Sequence, residues 1–155
     1  SEIVETKETE VEFSCDYLET TADHLFALGT SYDEERISDG LVLALFDKAD
    51  LSLTNVFRID EKYASTEVRY NPKAFVRDEE TIYFPMFSER GQSVQIFSVA
   101  NPISHLKTLT FPEDYILRIV LTDSYVLCIS STSVYAYSIH SYAFAGQLDY
   151  RTKDQ

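Results

Sequence analysis

Three stretches of this chain are built alike. Leu45-Phe46-Asp47-Lys48-Ala49-Asp50, Ile96-Phe97-Ser98-Val99-Ala100-Asn101 and Ala136-Tyr137-Ser138-Ile139-His140-Ser141 each close an apolar run on an aromatic and a small polar residue, then turn into a further run. The aromatic positions 46, 97 and 137 lie 51 and 40 residues apart. Around them the pattern has period two or is apolar on both faces. Val11, Phe13, Cys15 and Tyr17 alternate with polar residues, while Leu41–Phe46, Ile82–Phe87, Val94–Val99, Ile116–Leu121, Val126–Ser130 and Ser133–Ile139 are short runs rich in β-branched and aromatic types. They end in turn chemistry at Ser38-Asp39-Gly40, Ser88-Glu89-Arg90-Gly91, Asn101-Pro102 and Thr122-Asp123-Ser124. The pattern predicts an all-β chain, with helix confined to short pieces around Asp23 or Asp60–Tyr63.

A repeat of about 40–50 residues carrying four short strands is the signature of β-propeller blades. A blade buries both faces against its neighbours, which explains strands that are apolar on both sides. The expected organisation is three four-stranded antiparallel blades. Blade one spans 13–60, with strands near 13–18, 25–31, 41–46 and 55–59. Blade two spans 61–112, with strands near 73–76, 82–87, 94–99 and 106–111. Blade three spans 113–150, with strands near 116–121, 126–130, 133–139 and 143–148. Residues 1–12 read either as an acidic tail or as an outer strand of a preceding blade, and 151–155 as a tail.

Three blades leave an apolar face bare at each end of the arc, whereas closed propellers use about four to eight. The chain begins at Ser1 and its single Met is Met86. That combination leads us to expect a processed or excised product whose remaining blades lie upstream. The alternative is that copies associate, a six-bladed homodimer being the simplest closed form.

Charge narrows the partners. With 13 basic and 26 acidic side chains the 155 residues carry a formal charge of −13, and no basic stripe is present to hold phosphates, so nucleic acid is excluded. No uncharged apolar run approaches the roughly 20 residues of a membrane-spanning helix.

Ser65-Thr66-Glu67-Val68-Arg69-Tyr70-Asn71-Pro72-Lys73-Ala74-Phe75-Val76 resembles a segment of a bacterial and archaeal secreted family of C-terminal β-propeller domains, distantly related to WD40 repeats. That segment runs Ser-Glu-Ala-x-Tyr-Asp-His-Lys-Ala-Phe, followed by a strand ending in Pro, as in Ile82-Tyr83-Phe84-Pro85. Phe13 to Leu18, His24 to Gly29, Leu41 to Asp47, and Leu117 to Leu121 with Tyr125 to Ser130 are similar to further segments in the same order. The resemblance runs from about residue 2 to residue 150. It implies the C-terminal part of a larger propeller, an extracellular or cell-surface location, and a strand over residues 2–11. The family usually has Asp-His where this chain has Asn71-Pro72, so a role for that histidine does not carry over. No catalytic activity is implied.

Candidate chemistry is sparse. His24, His105 and His140 fall in separate blades without metal-ligand spacing. Asp33-Glu34-Glu35, Asp78-Glu79-Glu80 and Asp47 with Asp50 place carboxylates on turns, where calcium finds oxygen ligands, although the EF-hand order is absent. Asp33, Glu34, Glu35, Asp47 and Asp50 are the metal candidates, with solvated acidic turns as the alternative. No nucleophile elbow or Gly-rich phosphate loop occurs, and no pair of carboxylates is placed for glycoside hydrolysis. Cys15 and Cys128 lie in apolar strand patterns and read as buried small hydrophobes, with one disulfide as the alternative. Ser65, Arg69, Lys73 and Arg118 read as blade-internal partners for carboxylates that fix register. Among 11 Tyr and 10 Phe, Phe46, Phe75, Phe84, Phe97 and Tyr137 read as core. Tyr32, Tyr63, Tyr70 and Tyr142 fall near turns and are the candidate binding surface. The expectation is a non-enzymatic interaction or scaffold module, meeting a protein or glycan at a propeller rim and needing no cofactor. An enzyme, hydrolase-like, with its site in the central channel of a complete ring, and a calcium-dependent binding domain are the rivals.

Overall fold

The computed structural model describes residues 2–4 and 13–150. Three antiparallel sheets carry the chain. The first holds β1 (Glu2–Val4), β2 (Phe13–Thr20), β3 (His24–Tyr32), β4 (Ser38–Asp47) and β5 (Leu53–Asp60), hydrogen-bonded in that order. In the second, β6 (Ser65–Thr66) and β7 (Val76–Asp78) pair with opposite ends of β8 (Thr81–Ser88), and β9 (Gly91–Ser98) and β10 (Ser104–Phe111) follow. The third is β11 (Arg118–Leu121), β12 (Tyr125–Ile129), β13 (Ser133–Ser138) and β14 (Phe144–Asp149). Each sheet is a blade, and the three form an arc of a propeller. Glu2–Val4 pairs with Phe13–Cys15 and extends blade one's own sheet beyond β2. The rest of the 1–12 segment, and 151–155, lie outside the described residues.

The repeat in the sequence has a structural meaning. Phe46, Phe97 and Tyr137 are each the next-to-last residue of their blade's third strand, β4, β9 and β13. Each side chain points to the same side of its blade. Phe97 joins the core between blades one and two, Tyr137 packs on the core between blades two and three, and Phe46 lies in a cluster with Phe13, Cys15 and Val42 on the face of blade one turned from blade two. Leu41 to Phe46 are all at most 4% exposed, which is why that run is apolar on both faces. Truncating one such Leu costs about 2–5 kcal/mol.

The first strand of blade two, expected near 73–76, is split: β7 begins at Val76, and two single-turn 3-10 helices, Glu67–Arg69 and Pro72–Ala74, form a crossing segment between β6 and β7. Thr66 and Asn71 cap them, their side chains accepting from the amides of Val68 and Lys73, and Pro72 takes the first helical position, where no amide donor is needed. Buried Val68 and Ala74 pin this crossing segment to the core. The regions around Asp23 and 60–63, expected to hold any helix, are tight turns closed by Thr21 N–H to His24 O and Ala64 N–H to Glu61 O.

The crossing segment touches both β2 and β11, so the first strands of the blades converge while β5, β10 and β14 lie outermost. Blades are wedges about a common axis, tight inside and diverging outside. Asn55 Oδ1 accepts from Ile103 N–H at 2.8 Å and ties the outer edges of blades one and two near one end.

Candidate functional site

Because the strands alternate in direction, the loops gather on two rims. One carries 33–37, 61–64, 89–90, 112–117 and 130–132; the other carries 21–23, 48–52, 79–80, 99–103, 122–124 and 139–143. Tyr32 and Tyr63 lie on the first rim, and Tyr70 follows the first turn of the crossing segment beside them, 41%, 53% and 78% exposed. Tyr142 is on the opposite rim, half-buried and edge-on to Tyr83. The structure therefore brings together three of the four expected tyrosines.

A fourth aromatic completes the group. Tyr115 is 39% exposed, donates its hydroxyl to Glu67 Oε2 at 2.5 Å and packs on Phe87 at 4.9 Å between ring centres. The Glu67 carboxylate and partial burial push the Tyr115 phenol up to about 12. Nothing local in the sequence marks Tyr115, because its partner sits in another blade. Arg69 organises the rest: its Nη1 donates to Tyr32 Oη at 3.1 Å and its guanidinium lies 5.8 Å from the Tyr70 ring centre. On its inner side it faces Asp16, whose side chain is fully buried and accepts from the Thr30 hydroxyl at 2.6 Å. Burial pushes the Asp16 carboxyl up, against the Thr30 hydrogen bond and the Arg69 charge.

Arg69, expected to act within its own blade, and Arg77 reach across a blade boundary. Arg69 faces Asp16 of β2, and Arg77 pairs with Glu19 of β2 at 2.9 Å. The first joins the crossing segment of blade two, and the second joins β7, to the inner strand of blade one. No ion pair holds Lys73 or Arg118 among the described residues.

The acidic turns are occupied with their own backbones. Asp33 Oδ1 accepts from the amides of Glu35 and Ile37, Asp47 Oδ1 from Ala49, and Asp50 Oδ1 from Ser52. The Ser52 hydrogen bonds hold the Asp50 carboxyl below the usual carboxylate range. Asp33, Glu34 and Glu35 sit on the tyrosine rim, Asp47 and Asp50 on the other. The 10-residue strand β4 stands between, so at about 3.3 Å per residue the groups are roughly 30 Å apart and cannot share an ion. Among the described residues no three His, Cys, Asp or Glu side chains gather as a metal site. His24 and His140 lie on the second rim, while the His105 ring packs tilted against Phe97 at 4.8 Å. Cys15 and Cys128 are buried thiols not joined in a disulfide, and burial pushes Cys128 up to about 12. None of the described helices is long and apolar enough to cross a membrane.

Stacked four-stranded blades, an inner edge bound by charge pairs and loops presented on two rims define a β-propeller module. The family model described as Beta propeller domain matches residues 13–144, and the chain belongs to that family. No curated protein matches it.

Proposed function

We propose that the chain is a non-enzymatic interaction module of an exported or cell-surface protein, and that it meets a protein or glycan through the rim bearing Tyr32, Tyr63, Tyr70 and Tyr115. The observation that carries this reading is the grouping itself: exposed aromatics from the end of β3 and from three separate connections lie on one rim, with Arg69 between two of them. Tyrosine offers large contact area at low entropic cost with a polar end, and Tyr and Arg are enriched where binding energy concentrates. The blades beneath hold these side chains rigid, so little ordering is needed on binding. Export is supported by the family resemblance. A closed ring belongs to the same reading. Tyr125 and Leu148, on the face of blade three turned from blade two, are 44% and 66% exposed, and further blades or a second copy complete the arc there.

The test is a photo-crosslinking phenylalanine analogue placed at position 70 and, in a second protein, at position 142, each exposed to the secreted and surface fraction of the source cells. The reading expects a discrete adduct from position 70 and none from 142. Equal labelling from both rims, or none from either, rejects it.

A further inference from the structure

Between blades one and two the diverging outer edges leave a cleft of about 360 Å³, within the roughly 300–1,000 Å³ typical of small-molecule sites. One wall is β5, through Phe57 and Ile59. The other is the face of blade two formed by β8, β9 and β10. Polar residues enter that face along the cleft. The row nearer the second rim reads Ile82-Phe97-His105. The next two rows read Phe84-Gln95-Thr108 and Met86-Ser93-Thr110, and Ser93 and Gln95 are buried. Buried polar groups cost stability unless hydrogen-bonded, and Ser93, Gln95 and Thr108 meet that need with one another, which fixes the direction of their remaining donors and acceptors at the cleft wall.

The patch is also directional. Thr108 Oγ1 donates to Gln95 Oε1 at 3.0 Å, so the His105 Nε2 2.9 Å from the same hydroxyl is the donor in that contact. Gln95 Nε2 in turn donates to Ser93 Oγ at 2.8 Å. The Thr108 hydroxyl proton and one of the two on Gln95 Nε2 are therefore given onward, and the Ser93 hydroxyl, which accepts there, keeps its own proton to donate. Hydrogen bonds aligned head to tail strengthen one another, which makes Ser93 a stronger donor than an isolated serine. At the mouth Ser88 Oγ donates to Glu61 Oε1 at 2.8 Å, and Arg90 Nε lies 3.8 Å from the same oxygen. The two charges compensate, and the carboxylate disfavours anions.

We propose that this cleft binds a neutral polyhydroxylated ligand, a single sugar residue, with its apolar face on Phe57 and its hydroxyls on Ser93, Gln95 and the Glu61 carboxylate. Neutral hydroxyl and amide groups on one wall and an aromatic ring on the other match the two faces of a pyranose. A charged phosphate or carboxylate finds only one cation there, and it is already paired. The sugar is either free or the end of a glycan.

Titration of the ¹⁵N-labelled chain with the methyl glycosides of glucose, galactose, mannose and N-acetylglucosamine tests this, with inorganic phosphate as a separate arm. The expected result is saturable movement of the amide signals of residues 93, 95 and 108 with at least one glycoside and none with phosphate. Gln95→Leu weakens that binding about tenfold, in line with one lost hydrogen bond. Glu61→Gln, at the mouth and outside the packed face, serves as the second variant should Gln95→Leu fail to fold, and it weakens binding by a similar factor. A glycopeptide ending in the same sugar binds as well as the glycoside if the source is a glycan, and not at all if only the free sugar enters. No response to any glycoside, a response indifferent to both variants, or a preference for phosphate overturns the proposal.

Discussion

Arg69 Nε lies 3.7 Å from Oδ1 of Asp16, a side chain with no exposed surface, and that pair joins the crossing segment of blade two to the inner strand of blade one. Removing the guanidinium leaves a buried carboxylate without its counter-charge, which costs about 3–5 kcal/mol at fully buried pairs. Arg69 is 36% exposed, so water reaches the site and the cost falls. Arg69→Met is expected to lower unfolding free energy by about 1–3 kcal/mol in urea titration, and Asp16→Asn added to it to recover most of that loss. A double variant as unstable as the single one contradicts the pairing.

The same carboxylate sets a pH dependence. Burial pushes the Asp16 carboxyl above its ordinary value, so the folded chain holds that proton more tightly than the unfolded chain does. Its contribution to stability is therefore fully present below the ordinary carboxylate value and is lost as pH rises from there through the raised value. That loss is read as the difference between the melting curves of the unchanged protein and Asp16→Asn across mildly acidic pH. The stability of the unchanged protein relative to Asp16→Asn should rise toward acid. A relative stability that falls on acidification means the carboxyl titrates in the other direction.

Two glycines answer oppositely to substitution. A Cβ on Gly29 meets Phe13 Cδ2 at 2.2 Å and the Ser14 carbonyl oxygen at 2.5 Å, because Phe13 lies over that point of β3. The backbone atom cannot move aside, so Gly29→Ala is expected to destabilise by at least about 3 kcal/mol, the upper part of the overpacking range. Gly146, in the outermost strand of blade three, has nothing within 4 Å of a built Cβ. Gly146→Ala is expected to be neutral or to stabilise by up to about 1 kcal/mol, through the unfolded chain. Thermal melts of the two variants decide this directly.

The strands and blades were legible because the side-chain period survives in the sequence: Phe46, Phe97 and Tyr137 mark the same place in three blades. The crossing segment was not, although Asn71-Pro72 carries both a capping residue and a proline at the first helical position. A single turn is too short to establish a helical period, and its stability comes from burying Val68 and Ala74. Tyr32, Tyr63 and Tyr70 could be nominated from their turns, but their separation from Tyr142 depends on strand direction. Asp16 with Arg69, and Glu67 with Tyr115, were invisible for another reason. Such pairs exist only once one blade is laid against the next, and no local pattern encodes that.

Gln92 ties blade two to blade three. Its Nε2 donates to the Ile116 carbonyl at 3.2 Å and its Oε1 accepts the Ile116 amide at 2.5 Å, so one buried side chain satisfies both backbone groups of a residue with no exposed surface. Ile116 belongs to the connection that leads into β11, and its side chain sits in the core between those blades. Gln92→Leu keeps the approximate volume but strands a buried donor and a buried acceptor, each costing about 1–3 kcal/mol. The expected loss is about 2–4 kcal/mol by urea titration. Hydrogen exchange locates the effect: amides of β11 and β12 should lose protection while those of β3 and β4 keep it, since blade one does not share this contact. Uniform loss of protection across all three blades means that the arc unfolds as one unit and that the clamp has no local role.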